Sequence, residues 1–479
     1  MSLSSALNSA MSGLTAASRA TGIVSDNIAN VMTPGYARRS LELASAVQTG
    51  PGVHIVGVQR HADPGIVSER RSADADYGNA QVIAQFHSRF EKLVGNPTEA
   101  TSVGMRLAAF ENSLISASSL PESAQRLNGV VKSANDLSDT LGSAADGVAS
   151  MRNAADASIG SHVTRLNETL ANVQKLNVRI TSTQASGGEI ASLLDQRQLL
   201  VDQINEIVPV NQVDRDHGQI ALYTDGGAIL LDGVAAKLNF TATPVITPDM
   251  SLSGGALSGL EINGLEVGMH SIGGGALAAD FLVRDDLAVS AQADLDSFAR
   301  DLVERFESSS LDPTTSAGDP GLFTDTGAAF DPLDEIGLAG RLRLNADVDP
   351  AQGGESWRLR AGLGATSPGM PGEAGQLKAF SSILTKARVP ASTTLGTGLT
   401  NAAGLGTALM SRAAQNSSFS EQSLSFATAS RTEMQRIELA QGVDTDAEMQ
   451  TLLIAEQAYS ANARMIATID EMMQTLLRL

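Results

Sequence analysis

Two heptad seams stand at opposite ends of this chain, and they constrain its layout more than any other feature. Near the start, Leu3, Leu7, Ala10, Leu14, Ala17, Thr21, Val24, Ile28 and Val31 alternate in steps of four and three, the spacing of a coiled-coil helix. Near the end, Leu452, Tyr459, Ile466 and Met473 recur every seventh residue, with Ala455, Asn462, Ile469 and Leu476 three positions after each. The first seam is thin, because Ala10, Ala17 and Thr21 bury little surface, and a helix with so narrow a stripe does not hold its shape alone. Asn462, a polar residue on a seam, sets register at a cost in stability. A stalk needs a single continuous helix, whereas matched seams at opposite ends predict that the two ends pack together. The chain must then leave that pair and come back to it.

Between the ends, the most regular stretch begins after Pro121. Leu127, Val130, Ala134, Leu137, Leu141, Ala144, Val148, Met151 and Ala155 alternate threes and fours, and Ile159, Val163, Leu166, Leu170, Val173, Leu176 and Ile180 continue after a shift of register. About 60 residues of helix at about 1.5 Å each would span about 90 Å, longer than a globular domain needs. Gly142, Gly147 and Gly160 each weaken it by about 1 kcal/mol relative to Ala and mark possible kinks. Ser186-Gly187-Gly188 ends it, and a shorter amphipathic helix from Ala191 must stop at Pro209.

Other stretches complete the layout. Residues 41–68 alternate apolar and polar, with a turn at Pro51-Gly52, as in a β-ribbon. The pattern turns helical after Asp63-Pro64-Gly65, Asn96-Pro97 interrupts it, and Thr98 is the expected cap of the next helix. Alternation in Gln219–Tyr223 and turns at Asp225-Gly226-Gly227 and Asp232-Gly233 predict strands. Helices are expected again from Ala279 to Ser309, Gly375 to Lys386 and Gly404 to Gln441, and strands at Arg341–Leu344 and Trp357–Arg360.

The expected fold class is α+β, with terminal coiled-coil helices, an elongated helical-bundle body and an inserted β-rich domain. Four domains are expected: an axial coiled coil from residues 1–36 with 443–479; a mainly helical domain from 37–209 with 279–310 and 375–442; a β-rich insertion at 210–278; and a Gly/Pro-rich β region at 311–374, packed on the insertion or the helical body.

Composition excludes several functions. A formal charge of −20, from 53 acidic and 33 basic residues, argues against nucleic acid as a partner. The absence of cysteine removes disulfides, thiolate metal sites and cysteine nucleophiles. No apolar run is long enough to insert into a membrane, and no cleaved signal peptide is expected. The six histidines show no zinc-binding spacing, Asp347-x-Asp349 and Asp444-x-Asp446 lack the rest of a calcium loop, and Gly362-x-Gly364 is not a nucleotide fingerprint. No catalytic residue, metal site or cofactor is therefore expected. Asp195 and Arg197 are expected in an ion pair or a solvated face. Two classes stay open on these residues: a structural adaptor built on paired terminal helices, or a secreted adhesin or hydrolase on a helical stalk.

One string is more specific than its parts. Asn27-Ile28-Ala29-Asn30 followed by Thr33-Pro34-Gly35-Tyr36 resembles the N-terminal signature of the bacterial flagellar axial proteins of rod, hook and hook-filament junction. Arg38-Arg39, the LLDQR run at Leu193–Arg197, and Gly442-Val443-Asp444-x-Asp446-x-Glu448-Met449 with Glu456–Arg464 resemble the first hook-associated branch of that family more than its hook or rod paralogues. Ala37 stands where the commonest form has Ser. The resemblance implies a non-enzymatic adaptor exported by the flagellar type III apparatus and placed between hook and filament. Implied partners are copies of itself in a ring, the hook protein, a second junction protein on the filament side, and a cytoplasmic export chaperone. Axial assembly would fall to Leu3, Leu7, Leu14, Val24, Ile28, Leu452, Tyr459, Ile466, Ile469, Met473 and Leu476. The chaperone would hold Leu452, Tyr459, Ile466, Ile469 and Met473. The terminal helices would order on assembly.

Overall fold

The computed structural model describes residues 3–33, 35–45, 52–308 and 310–478. Pro34 of the signature and Pro51 of the expected ribbon turn lie outside the described residues. Helix α1 (Leu3–Ala29) is followed by an antiparallel ribbon, β1 (Arg38–Ser45) and β2 (Val53–His61), then by helices α2 (Pro64–Val94), α3 (Val103–Ser119), α4 (Ala124–Ala185) and α5 (Ala191–Ile207). Strands β3 (Val210–Asp214), β4 (Ile220–Thr224), β5 (Ile229–Asp232) and β6 (Val234–Ala235) form one antiparallel sheet. Strands β7 (Leu238–Asn239), β8 (Leu260–Ile262) and β9 (Leu265–Val267) form a second. Helix α6 (Gly275–Leu282) runs through a π-helical turn, Val283–Leu287, into α7 (Ala288–Phe306). Strand β10 (Phe323–Asp325), helix α8 (Leu338–Arg341), strand β11 (Leu342–Leu344), and helices α9 (Arg358–Ala361), α10 (Gly375–Thr385), α11 (Ala402–Ala440) and α12 (Thr445–Leu477) complete the chain, β10 pairing with β11. The fold is α+β, with a helical body and small sheets.

The wall of the body is α4, 62 residues without a break. Ser123 caps its start by accepting from the Arg126 N–H, and the positive φ of Gly187 turns the chain away at its end. Its expected stripe is buried from Leu127 to Val173 and at Ile180, with Leu176 half-exposed and Asn177 buried beside it. The glycines do not interrupt it. At Gly147 a Cβ would come within 2.5 Å of Leu93, so that glycine is where α2 approaches closely. The first half of α4 packs with α3, α7, α10 and the start of α11 in one core, and the second half packs with α5, α6 and the two sheets of β3–β9 in another.

Some local expectations are corrected. Thr98 does not cap α3: it lies in a turn on the Asn96 side chain, and Ser102 caps the helix by accepting from the Met105 N–H at 3.3 Å. Trp357–Arg360 is not a strand. Leu359 and Arg360 are adjacent and both buried, which the helical turn of α9 permits and strand alternation forbids, and the Arg360 guanidinium caps the carbonyls of Pro121, Pro368 and Pro371. Helix α1 stops at Ala29, three residues before the expected Met32, and turns carry the chain onward to Thr33.

Candidate assembly interface

Helices α1 and α12 pack against each other within the single chain, and the ribbon lies along another side of α1. On α1, Ala10, Ala17 and Val24 are buried at seam positions, while Leu3, Leu7, Leu14 and Ile28 are half-buried. Ala16 and Ile23 are buried on the side of Ser12, whose hydroxyl accepts from the Val53 N–H at the tip of the ribbon. On α12, Ala455 and Ile469 are buried, and Leu452, Asn462 and Ile466 are half-buried. Asn462 stands directly over Gly13, where an added Cβ would lie 2.7 Å from the amide. The polar seam residue is thus seated by a missing side chain.

Three predicted seam residues are not covered by this pair: Tyr459, Met473 and Leu476 are 45%, 44% and 59% exposed. Met449, Leu453, Ile454, Met465 and Met472 are exposed beside them. In sequence, Ile454, Ala458, Ala461, Met465, Thr468 and Met472 alternate in steps of four and three, a second seam next to the one facing α1.

The signature string forms a joint. Asn27 is fully buried, and its amide makes four hydrogen bonds, as many as the group allows. Its Nδ2 donates to the Arg39 carbonyl at 2.8 Å and to Glu448 Oε2 at 3.0 Å, and its Oδ1 accepts from the Tyr36 hydroxyl at 2.8 Å and the Arg39 N–H at 3.0 Å. Burial raises the Tyr36 phenol above its ordinary value, which keeps it a donor. Glu448, 1% exposed, receives Arg38 Nε at 2.7 Å on its other oxygen. Asp444 caps α12 through the N–H groups of Asp446 and Ala447, which sets Glu448 one turn into the helix and over Asn27. Gly35, at φ 76°, packs so closely on Leu199 of α5 that a Cβ would stand 2.7 Å from its Cγ. Ala29 and Thr33 are exposed, and Asn30 hydrogen-bonds back to the Asp26 carbonyl, so these members of the string shape the helix end. Glu448 was legible as part of a motif but not as the centre of the joint. The signal was its place on the seam, seven residues before Ala455, where a charge requires a partner.

Ion pairs carry the joint into the body. Asp195 takes Arg39 on one oxygen and Arg60, at 2.7 Å, on the other, and Arg39 lies over the Tyr36 ring at 4.8 Å. The ion pair expected for Asp195 is therefore made with the ribbon. Arg70 of α2 bonds Asp74, Asp202 and Glu438, each at 2.8 Å, which raises its pKa further, and so fastens α2, α5 and the end of α11 together. Among the described residues, no group of three or more metal-ligating side chains comes together, and no helix is long and apolar enough to cross a membrane.

Three family models match the chain: the flagellar hook-associated protein FlgK helical domain over residues 87–322, the flagellar basal body rod FlgEFG protein C-terminal model over 439–479, and the flagella basal body rod protein model over 7–36. Flagellar hook-associated protein 1 of Salmonella typhimurium is 30% identical over 244 residues, 49% of this chain and 44% of that protein. The chain thus spans less than half the length of that relative. The protein of the same name from Bacillus subtilis is 22% identical over 514 residues, 98% of this chain and 97% of that protein. The solved flagellar hook junction protein FlgK from Burkholderia pseudomallei superposes with a TM-score of 0.45 at 18% identity, covering 54% of this chain and 46% of that one. The FlgK helical-domain model lies over the helical body and the two rod-protein models over the two ends, so the chain is similar to flagellar hook-associated protein 1 in its body and to the flagellar rod proteins at its termini.

Proposed function

We propose that this protein is a structural adaptor of the flagellar axis, joining hook to filament through its paired terminal helices. The observation that carries this reading is the second, uncovered seam on α12, whose Ile454 and Met465 are 67% and 49% exposed beside a seam already paired with α1. A helix that is apolar on both sides is built to pack twice, once within the chain and once against a neighbour. The neighbours on this reading are further copies in a ring, the hook protein below, and a second junction protein above, with each contact heterologous so that the ring closes. The axial domain comprises 1–36 with 443–479, and the body is divided by its two cores, one joining the first half of α4 to the 311–374 region and the other joining its second half and α5 to the β-rich insertion. No catalysis is assigned to any of them.

Export requires the terminal helices to be unfolded and reordered on arrival, with packing offsetting the conformational entropy lost. A cytoplasmic chaperone that holds Leu452, Ile466 and Ile469 competes with α1 for one face, because those residues turn towards α1 in the folded chain. Release from the chaperone and closure of the α1–α12 pair are then one event.

The test uses exposed residues, so that failure to assemble is separable from failure to fold. Ile454→Asp with Met465→Asp is expected to leave the melting of the monomer unchanged and to abolish its incorporation between hook and filament, scored by electron microscopy of purified flagella and by swimming. Normal incorporation of this variant would refute the reading.

A further inference from the structure

Within the LLDQR run, Asp195 and Arg197 point to different neighbours. Asp195 reaches the ribbon, whereas Arg197 turns towards the β3–β4 sheet and lines a cavity of about 290 Å³ together with Arg60, Arg71, Gln212 and Asp214. Arg71 and Arg197 are 5% and 8% exposed, and the Arg60 side chain is 16% exposed. Arg60 is held by Asp195 and Gln198, and Arg71 by Asp202 at 2.7 Å and Gln212 at 3.1 Å. Arg197 differs. Its Nη1 donates to Asn177 Oδ1 at 2.9 Å and to the Gly218 carbonyl at 2.6 Å, both neutral acceptors. Among the described residues its Nε and Nη2 have no hydrogen-bond acceptor, and no carboxylate comes within ion-pair distance.

A buried guanidinium without a counter-ion is costly and is ordinarily paired. Here burial and the neighbouring Arg60 and Arg71 hold Arg197 down to about 10, while Asp214, exposed at the end of β3, opposes them only partly. Three guanidiniums and one carboxylate therefore line this cavity, in a chain whose formal charge is −20. The free edge of Arg197 offers the two parallel N–H donors that suit a carboxylate or a phosphate.

We propose that the cavity between β2, α2, α5 and β3 is an oxyanion-binding site, in which a carboxylate or phosphate group is received by Arg197 and flanked by Arg60 and Arg71. The two sources of that chemistry are an acidic side chain of a second polypeptide and free phosphate.

The test titrates the full chain with sodium acetate and, separately, inorganic phosphate at constant ionic strength, following the arginine Nε–H resonances by NMR. Saturable shifts of Arg197 are expected. Saturation with acetate supports an acidic side chain as the source, and saturation with phosphate alone supports the free ion. Asp214→Asn removes an opposing charge at an exposed strand end and is expected to tighten binding by about threefold or more. Arg197→Lys keeps the charge but loses the paired donors and is expected to weaken binding by about tenfold. No saturable shift with either anion, or no tightening in Asp214→Asn, overturns the proposal.

Discussion

At the scale of single residues, the joint at Asn27 shows how a short signature gains its specificity. Asn27, Tyr36, Arg38 and Glu448 are polar groups that would each be expensive to bury alone, and each is buried or half-buried because the others satisfy it. Asn27→Ala would leave one oxygen of Glu448, the Tyr36 hydroxyl and the Arg39 N–H unpaired. At about 1–3 kcal/mol for each buried orphan, the loss is comparable to the whole margin of a two-helix contact. Hydrogen exchange should therefore show faster exchange of the α12 amides in Asn27→Ala, with α4 unchanged. Unaltered protection of α12 would mean that the joint does not hold the helix. Glu448→Gln keeps the shape but removes the charge, and its effect should be smaller than that of Asn27→Ala.

At the scale of elements, periodicity read α4 almost completely, because a helix covered along its length writes its burial directly into the spacing of its apolar residues. It was less informative for α1 and α12. Their seams were legible, but the role of Gly13 opposite Asn462 was not, since the absence of a side chain acquires meaning only when its partner is known. The single turn of α9 was missed because Trp357–Arg360 alternates in polarity, and a buried arginine that caps carbonyls looks in sequence like a solvated one. Arg197 escaped for the same reason. Gly13→Ala tests the close approach of α1 and α12: the added methyl must displace Asn462, so α12 should become more susceptible to limited proteolysis while α4 and α5 stay resistant. Equal cleavage of wild type and variant would show that the contact is loose.

At the scale of the whole molecule, the two cores contain no residue of α1 or α12: their buried members run from Phe86 to Ala413. The terminal pair is thus attached outside both cores, through the polar joint at Asn27 and Glu448 and the contact of Gly35 with Leu199. A chain lacking residues 1–36 and 447–479 should melt cooperatively at a temperature close to that of the full chain by calorimetry, yet fail to assemble. Global unfolding of the truncated chain would show that the terminal helices belong to the body's stability after all.

The length of α4 has a mechanical consequence. At about 1.5 Å per residue it runs for about 90 Å, and each half is embedded in a different core, so the two cores are splinted by one continuous strut. Bending the body means bending that strut or tearing it from a core. The segments that join the body to the terminal pair, at Ala62-Asp63 and Gln441-Gly442, cross outside both cores and border an open cavity of about 520 Å³. Under a lateral load the molecule should flex there, as a stiff lever on a compliant mount.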